Sequence, residues 1–209
     1  MPRSTPEARP QIVRMFQAPA WEGPCFRPLY GAEYDERIPR PPQRLELEAF
    51  DYSASWVMTL AGEALYRDGE HRHRLTPGTV LAYEKPSPGV LVHPPAGGRW
   101  HHLWIAVTGE PALGIHRHVA RTYGRIHQLP VRGETVRAAR RLIRLAAIND
   151  VRAALEWSAL THDWLNAWWR EAEQHAPRAV AALRESDEAQ RIALATGSLK
   201  RMAHRLGYS

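Results

Sequence analysis

A single cysteine, Cys25, occurs among the 209 residues, so no intramolecular disulfide can form. A lone cysteine is typical of a reducing compartment, and we expect a cytoplasmic protein. The sequence also lacks a run of roughly 18 apolar residues, which a membrane-spanning helix requires. Its opening, "MPRSTPEARPQIVRMF", has no apolar signal-peptide segment. We therefore expect no membrane among its partners.

Catalytic signatures are absent as well. The sequence contains neither the Gly-x-Ser-x-Gly elbow of a serine hydrolase nor a glycine-rich phosphate loop. These absences favour a binding protein over an enzyme. We predict no catalytic residue, no cofactor and no resident metal.

Lysine is scarce: of 28 basic residues only Lys85 and Lys200 are lysine, and the rest are arginine. The net charge of +6 and the isoelectric point near 9.9 suit an acidic partner such as DNA. The preference for arginine also fits a base-composition bias of the gene. Charge alone leaves both interpretations open.

The composition and the apolar pattern of the sequence change along the chain. Residues 1–43 are rich in proline and glycine, as in "PRPP" (39–42), and predict an irregular N-terminal arm or loop, in which one short strand can occur. Residues 44–130 alternate short apolar runs with turn residues, which predicts an all-β sandwich or small barrel. Residues 131–176 predict two helices, and residues 177–209 predict a third helical stretch followed by the terminal "LKRMAHRLGYS". The predicted strands are 44–50, 56–62, 63–69, 70–75, 79–84, 89–93 and 100–107, and the two predicted helices are 134–150 and 151–174.

The strand "WHHLWIAV" (100–107) has two chemically different faces. Alternation places Trp100, His102 and Trp104 on one face and purely apolar residues on the other. Aromatic rings beside an imidazole suit a sugar or another planar polar ligand. Alternatively, the two tryptophans pack between barrel and helices, and His102 bonds to a main-chain carbonyl.

Three segments resemble the arabinose-regulator (AraC/XylS) family of bacterial transcription regulators. The segment "LAGEALYRDGEHRHRLTPGTVLAYEKPSPGVLVH" (60–93) is similar to that family's cupin-barrel pattern, which leads to a histidine, here His93. The segment "RWHHLWIAVTGEP" (99–111) resembles the strand after that histidine. The segment "SLKRMAHRLGYS" (198–209) resembles the first helix and turn of a helix-turn-helix.

The resemblance implies an α+β fold with an N-terminal cupin-like β-barrel, an antiparallel helix pair and a partial helix-turn-helix. It divides the chain into an arm (1–43), an effector-binding barrel (44–130), a dimerisation segment (131–176) and the start of an incomplete DNA-binding domain (177–209). The implied function is a ligand-responsive regulator that senses a small molecule, with sugars among the candidates. The residues assigned to the effector are His102, Trp104, Trp100, His93, Tyr83 and Arg44.

The second predicted helix carries a large apolar stripe. Trp157, Leu160, Trp164 and Trp168 follow one another at helical spacing. Tryptophan is enriched in interface cores, and the resemblance implies a homodimer through this helix pair. Alternatively, the same face packs against the barrel.

The terminal segment predicts the first half of a helix-turn-helix. Gly207 is a natural helix stop and Ser209 a natural cap for a following helix. The residues assigned to DNA contact are Lys200, Arg201, His204, Arg205 and Ser209. Because base readout belongs to the second helix of the motif, we expect weak or absent binding of specific DNA by this chain.

Two other functions remain open at this point. His71 and His73 alternate on one strand face, and cupin enzymes often hold a divalent metal through a His-x-His pair. However, no carboxylate follows before Gly78, and the flanking Arg72 and Arg74 would oppose a cation. The other alternative is a free-standing small-molecule-binding protein that acts through protein partners.

Overall fold

The computed structural model describes residues 11–17, 26–37, 42–45, 53–93, 98–146 and 154–176. The strands are β1 (Gln11–Gln17), β2 (Arg27–Glu36), β3 (Gln43–Arg44), β4 (Ala54–Gly62), β5 (Ala64–Asp68), β6 (His71–Leu75), β7 (Thr79–Glu84), β8 (Val90–Val92), β9 (Trp100–Thr108) and β10 (Ile126–Gln128). The helices are α1 (Glu110–Tyr123), α2 (Glu134–Ala146) and α3 (Ala154–Gln174). All these elements lie in the first of two units of the chain, residues 1–175.

The strands form two antiparallel sheets. The larger has the order β1-β2-β9-β4-β7-β10, and the smaller has the order β3-β8-β5-β6. The chain passes from the larger sheet to the smaller at Gly62. Its φ of 72° favours glycine, and the nearby carbonyl of Arg99 leaves no room for a Cβ. The predicted strands between residues 54 and 108 are confirmed to within a residue or two at each end.

An aromatic interior lies between the two sheets. Successive side chains of a strand point to opposite faces, and the inward-facing ones of both sheets meet in one buried cluster. Its members are Leu45, Val57, Ala64, Tyr66, Leu75, Leu81, Tyr83, Leu91, Trp100 and Trp104, with Tyr30, Tyr34 and Ile126 packed against it.

Helices cover the outer face of the larger sheet. Trp56 of β4 meets Trp164 of α3 edge to face, with 5.5 Å between ring centroids. The whole stripe of α3, namely Trp157, Leu160, Trp164 and Trp168, is buried within the chain. This burial agrees with the alternative that the stripe packs against the barrel, and the assignment of these four residues to a dimer interface stays a prediction.

The predicted irregular arm and the predicted all-β region both contain elements that the sequence analysis did not place. The arm contains β1 and β2, and β2 lies between β1 and β9 in the larger sheet. Its Glu33 and Asp35 suggest an exposed loop, yet both are buried because arginines pair with them. Helix α1 interrupts the all-β region, with Pro111 in its first turn.

The third helical stretch and the terminal "LKRMAHRLGYS" lie outside the described residues, so the partial helix-turn-helix stays a prediction. Among the helices that the structure describes, none is both long and apolar enough to cross a bilayer.

Candidate functional site

Strand β9 directs its aromatic face into the interior between the sheets. Trp100, His102 and Trp104 are at most 8% exposed. The rings of Trp100 and His102 are stacked, with 3.6 Å between centroids and 16° between planes. The structure thus brings together the three residues that alternation placed on one face, and their role in binding stays a prediction.

Strand β2 supplies a second row of side chains beside this face. In the antiparallel register, Tyr34 lies opposite His102 and Glu36 lies opposite Trp100. The Tyr34 ring stacks on His102, with 5.1 Å between centroids, so three rings follow one another across two strands. Neither Tyr34 nor Glu36 was singled out from the sequence, because both lie in the segment predicted to be an arm.

A buried acid and a buried histidine meet at the Trp100 end of this row. Nδ1 of His93 forms a hydrogen bond with Oε2 of Glu36, and both side chains are almost fully buried. The His93 ring also meets Trp100 edge to face, with 5.4 Å between centroids. The predicted residue His93 therefore faces the interior, held by an acid that sequence reasoning missed.

The two interior tryptophans differ in how their N–H groups are satisfied. Trp100 Nε1 donates to Thr59 Oγ1 at 3.0 Å, and Thr59 Oγ1 donates to the carbonyl of Leu75 at 3.2 Å. No described residue accepts a hydrogen bond from Trp104 Nε1, although the side chain is only 8% exposed. An unsatisfied buried donor is costly, so a ligand oxygen at this point would be stabilising.

Three further indole groups lack an acceptor among the described residues, those of Trp56, Trp157 and Trp164. None of these three belongs to the cluster between the sheets, whereas Trp104 does. The unsatisfied donor of Trp104 is therefore the one that faces the interior.

Tyr83 and Arg44, both assigned to the effector, differ in burial. Tyr83 is buried in the interior cluster. Arg44 is exposed and lies opposite Val90, one position out of phase with the inward-facing Leu45 and Leu91. Period-two alternation directs Arg44 outward, and its assignment to the effector site stays a prediction.

An ion-pair network fastens the outer face of β2 to α2. Arg140 Nη2 donates to Glu33 Oε1 at 2.6 Å, and His101 Nε2 lies 2.9 Å from the same oxygen. Burial raises the pKa of Glu33, but the hydrogen bonds from His101 and Arg140 and the charge of Arg140 outweigh it and lower the pKa to about 2. Glu33 is therefore ionised at neutral pH.

The predicted His-x-His pair shares a face of β6 with the inward-facing Leu75; His71 is exposed and His73 is half-buried. The rings of His71 and His73 are 6.4 Å apart, and His73 stacks on Tyr66. Within the described ranges no three His, Cys, Asp or Glu side chains come together as metal ligands. The residues assigned to DNA contact, namely Lys200, Arg201, His204, Arg205 and Ser209, lie outside those ranges.

Two antiparallel sheets facing each other across an aromatic interior form a cupin-like α+β fold. Residues 43–160 match the model of the AraC-like ligand binding domain, and the chain belongs to that family. No curated protein matches this chain in sequence.

Solved structures with related folds are distant. The AraC-like transcriptional activator CuxR is 9% identical with a TM-score of 0.40, over 70% of this chain and 50% of CuxR, so this chain spans only half of CuxR's length. A cupin superfamily protein from Desulfitobacterium hafniense is 17% identical with a TM-score of 0.33, over 52% of this chain and 94% of that one. The Cnp3 cupin domain of Schizosaccharomyces pombe is 13% identical with a TM-score of 0.32, over 54% and 76% of the two chains.

Proposed function

We propose that the protein is a ligand-responsive transcription regulator, not an enzyme, whose effector binds between the two sheets. The observation that carries the proposal is the unsatisfied N–H of Trp104 in an interior that the AraC-like ligand-binding family model covers. The effector contacts would come from Trp104, His102, Trp100 and His93, and from Tyr34 of β2.

The chemistry of this interior favours a sugar. Aromatic faces bind the C–H faces of a pyranose or furanose, while buried donors and acceptors bind its hydroxyl groups. Trp104 Nε1 supplies a donor, and the stack of Tyr34, His102 and Trp100 supplies the rings. Aromatic acids and amides satisfy part of this pattern and are the competing ligands.

Isothermal titration calorimetry with a panel of aldopentoses and aldohexoses tests this proposal. We expect at least one aldose to bind, and Trp104→Phe to weaken it about 2- to 10-fold, because one hydrogen bond contributes about 0.5–1.5 kcal/mol. Trp164→Phe is the matched control, since it removes an equally buried and unsatisfied N–H from the layer between sheet and helices. If both variants weaken binding equally, the proposed site is wrong. If aromatic acids bind and no aldose does, the proposed ligand class is wrong.

Strand β2 offers a physical link from the effector to the helices. Its Tyr34 and Glu36 face the interior, and Glu33, which precedes Tyr34, accepts a hydrogen bond from Arg140 of α2. An effector that favours one position of β2 would thereby favour one position of α2, which is a coupling free energy between two sites. The regulator would act as a homodimer in which the effector alters the spacing of the DNA-binding units.

DNA binding in this proposal belongs to residues 177–209. Lys200, Arg201, His204 and Arg205 would contact phosphates, and a recognition helix would read bases. We expect this chain to bind a random-sequence duplex weakly and with strong salt dependence. Lys200→Gln should reduce the slope of log K against log salt by about 1. An unchanged slope would show that Lys200 does not contact a phosphate.

A further inference from the structure

A cavity of about 560 Å³ lies between α1 and the segment that follows β7. One side is lined by residues 82–84 and 86–88, and the other by His116, Arg117, Ala120 and Arg121 of α1 together with Arg125. Glu84 pairs with Ala54 at one end of β4, whereas Trp100 pairs with Gly62 at the opposite end. The cavity is therefore separate from the ring stack of the proposed effector site.

One part of this cavity is a donor-rich, cationic region. Arg121 is exposed and forms no ion pair with any described residue. Arg125 has only long contacts of 3.4 Å, to Ser87 Oγ, Tyr66 Oη and Asp68 Oδ2. Two arginines with weak or no partners, beside a buried serine hydroxyl, suit a carboxylate or phosphate group.

Another part of the cavity offers hydrogen-bond acceptors. His116 is 2% exposed, and its Nε2 lies 3.3 Å from the carbonyl of Ser55, so Nε2 carries the proton and Nδ1 has the lone pair. No described residue donates to Nδ1, and Glu84 Oε1 lies 3.9 Å from it. Burial lowers the pKa of His116 to about 4, which keeps the ring neutral.

Glu84 is fixed beside this acceptor. Arg117 Nε donates to both carboxylate oxygens, at 2.9 and 3.1 Å. A carboxylate has further lone pairs, so Glu84 and His116 Nδ1 together can receive a ligand N–H or O–H.

We infer that this cavity is a second small-molecule site, for a small organic anion that carries an amino or hydroxyl group next to its acid group. The acid group lies against Arg121 and Arg125, and the amino or hydroxyl group donates to His116 Nδ1 and Glu84. Since α1 directly follows β9, such a ligand would also reinforce the contact between α1 and the larger sheet.

Three probes of similar size test the inference by NMR titration of the whole chain. L-lactate carries a hydroxyl group, L-alanine carries an ammonium group, and propionate has the acid group alone. We expect lactate or alanine to bind about fivefold or more tightly than propionate, because propionate leaves His116 Nδ1 unsatisfied. Equal binding of all three, or no binding at millimolar concentration, would overturn the inference.

Substitution of two exposed arginines, one in this cavity and one outside it, distinguishes the proposed site from other basic surfaces. Arg121→Gln should weaken the tighter probe about tenfold, because a charge-assisted hydrogen bond is lost. The control Arg144→Gln removes an exposed arginine from another groove, between α2 and α3, and should change nothing. An equal effect of both variants, or none from Arg121→Gln, would overturn the site.

A third variant distinguishes binding at the second site from binding at the effector site. Trp104→Phe should leave lactate and alanine binding unchanged, since Trp104 does not line this cavity. If Trp104→Phe weakens these probes as Arg121→Gln does, the anion binds between the sheets and the second site is wrong.

Discussion

Acidification should weaken the contact between β10 and α3 through His127. Its Nδ1–H donates to the carbonyl of Gly124 at 2.9 Å, and its Nε2 accepts from Trp168 Nε1 at 2.9 Å. Because an indole nitrogen only donates, this arrangement requires a neutral imidazole. Burial accordingly lowers the pKa of His127 from 6.5 to about 4.

The pKa difference gives the size and sign of the effect. Between pH 6.5 and about 4 the unfolded chain binds this proton and the folded chain does not, so stability is lost as the pH falls through this window. Each pH unit is worth about 1.4 kcal/mol, which gives about 2 kcal/mol at about pH 5. His116, whose pKa burial also lowers to about 4, contributes a similar amount.

Urea unfolding at about pH 7.5 and about pH 5 measures this loss, which we expect to total about 4 kcal/mol for the two histidines. His127→Gln keeps an acceptor near Trp168 Nε1 but cannot titrate, so it should lose about 2 kcal/mol less than the wild type. His118→Gln, at an exposed histidine of α1, is the matched control. If His127→Gln loses as much stability as the wild type, the reasoning about this hydrogen bond is refuted.

Three substitutions test individual packing contacts and ion pairs of the fold. Glu33→Gln removes the charge that Arg140 contacts and should cost about 2 kcal/mol in urea unfolding at neutral pH; no loss would mean that the pair does not stabilise the fold. Gly89→Ala places a Cβ against the buried ring of Tyr66 and should cost about 1–3 kcal/mol. Gly114→Ala, within α1 and with open space around it, should instead add about 0.5–1 kcal/mol, and equal effects of the two alanines would contradict the steric argument.

Most of the strands from β4 to β9 could be predicted because short alternating or apolar runs are separated by marked turn residues. Strand β2 could not, since its outward positions carry Glu33 and Asp35, which local patterning assigns to solvent. Their burial depends on Arg140 and Arg99, which lie far along the chain. Helix α1 was missed because it lies inside a region dominated by strand signals.

The candidate site likewise contains residues that the sequence alone predicts and residues that it does not. The shared face of Trp100, His102 and Trp104 follows from alternation within one strand, so the sequence was sufficient. Tyr34 and Glu36 join that face only because β2 pairs with β9, and no local signal predicts this pairing. The outward direction of Arg44 likewise depends on the register of β3 against β8.

Fluorine NMR of the protein labelled with 5-fluorotryptophan tests most directly whether the effector binds between the sheets. Single Trp→Phe variants assign the resonances of Trp100, Trp104 and Trp164. During titration with an aldose that binds, we expect the Trp104 and Trp100 resonances to shift and the Trp164 resonance to stay in place. If a saturating concentration of the aldose leaves the Trp100 and Trp104 resonances unshifted, an effector site in this interior is contradicted.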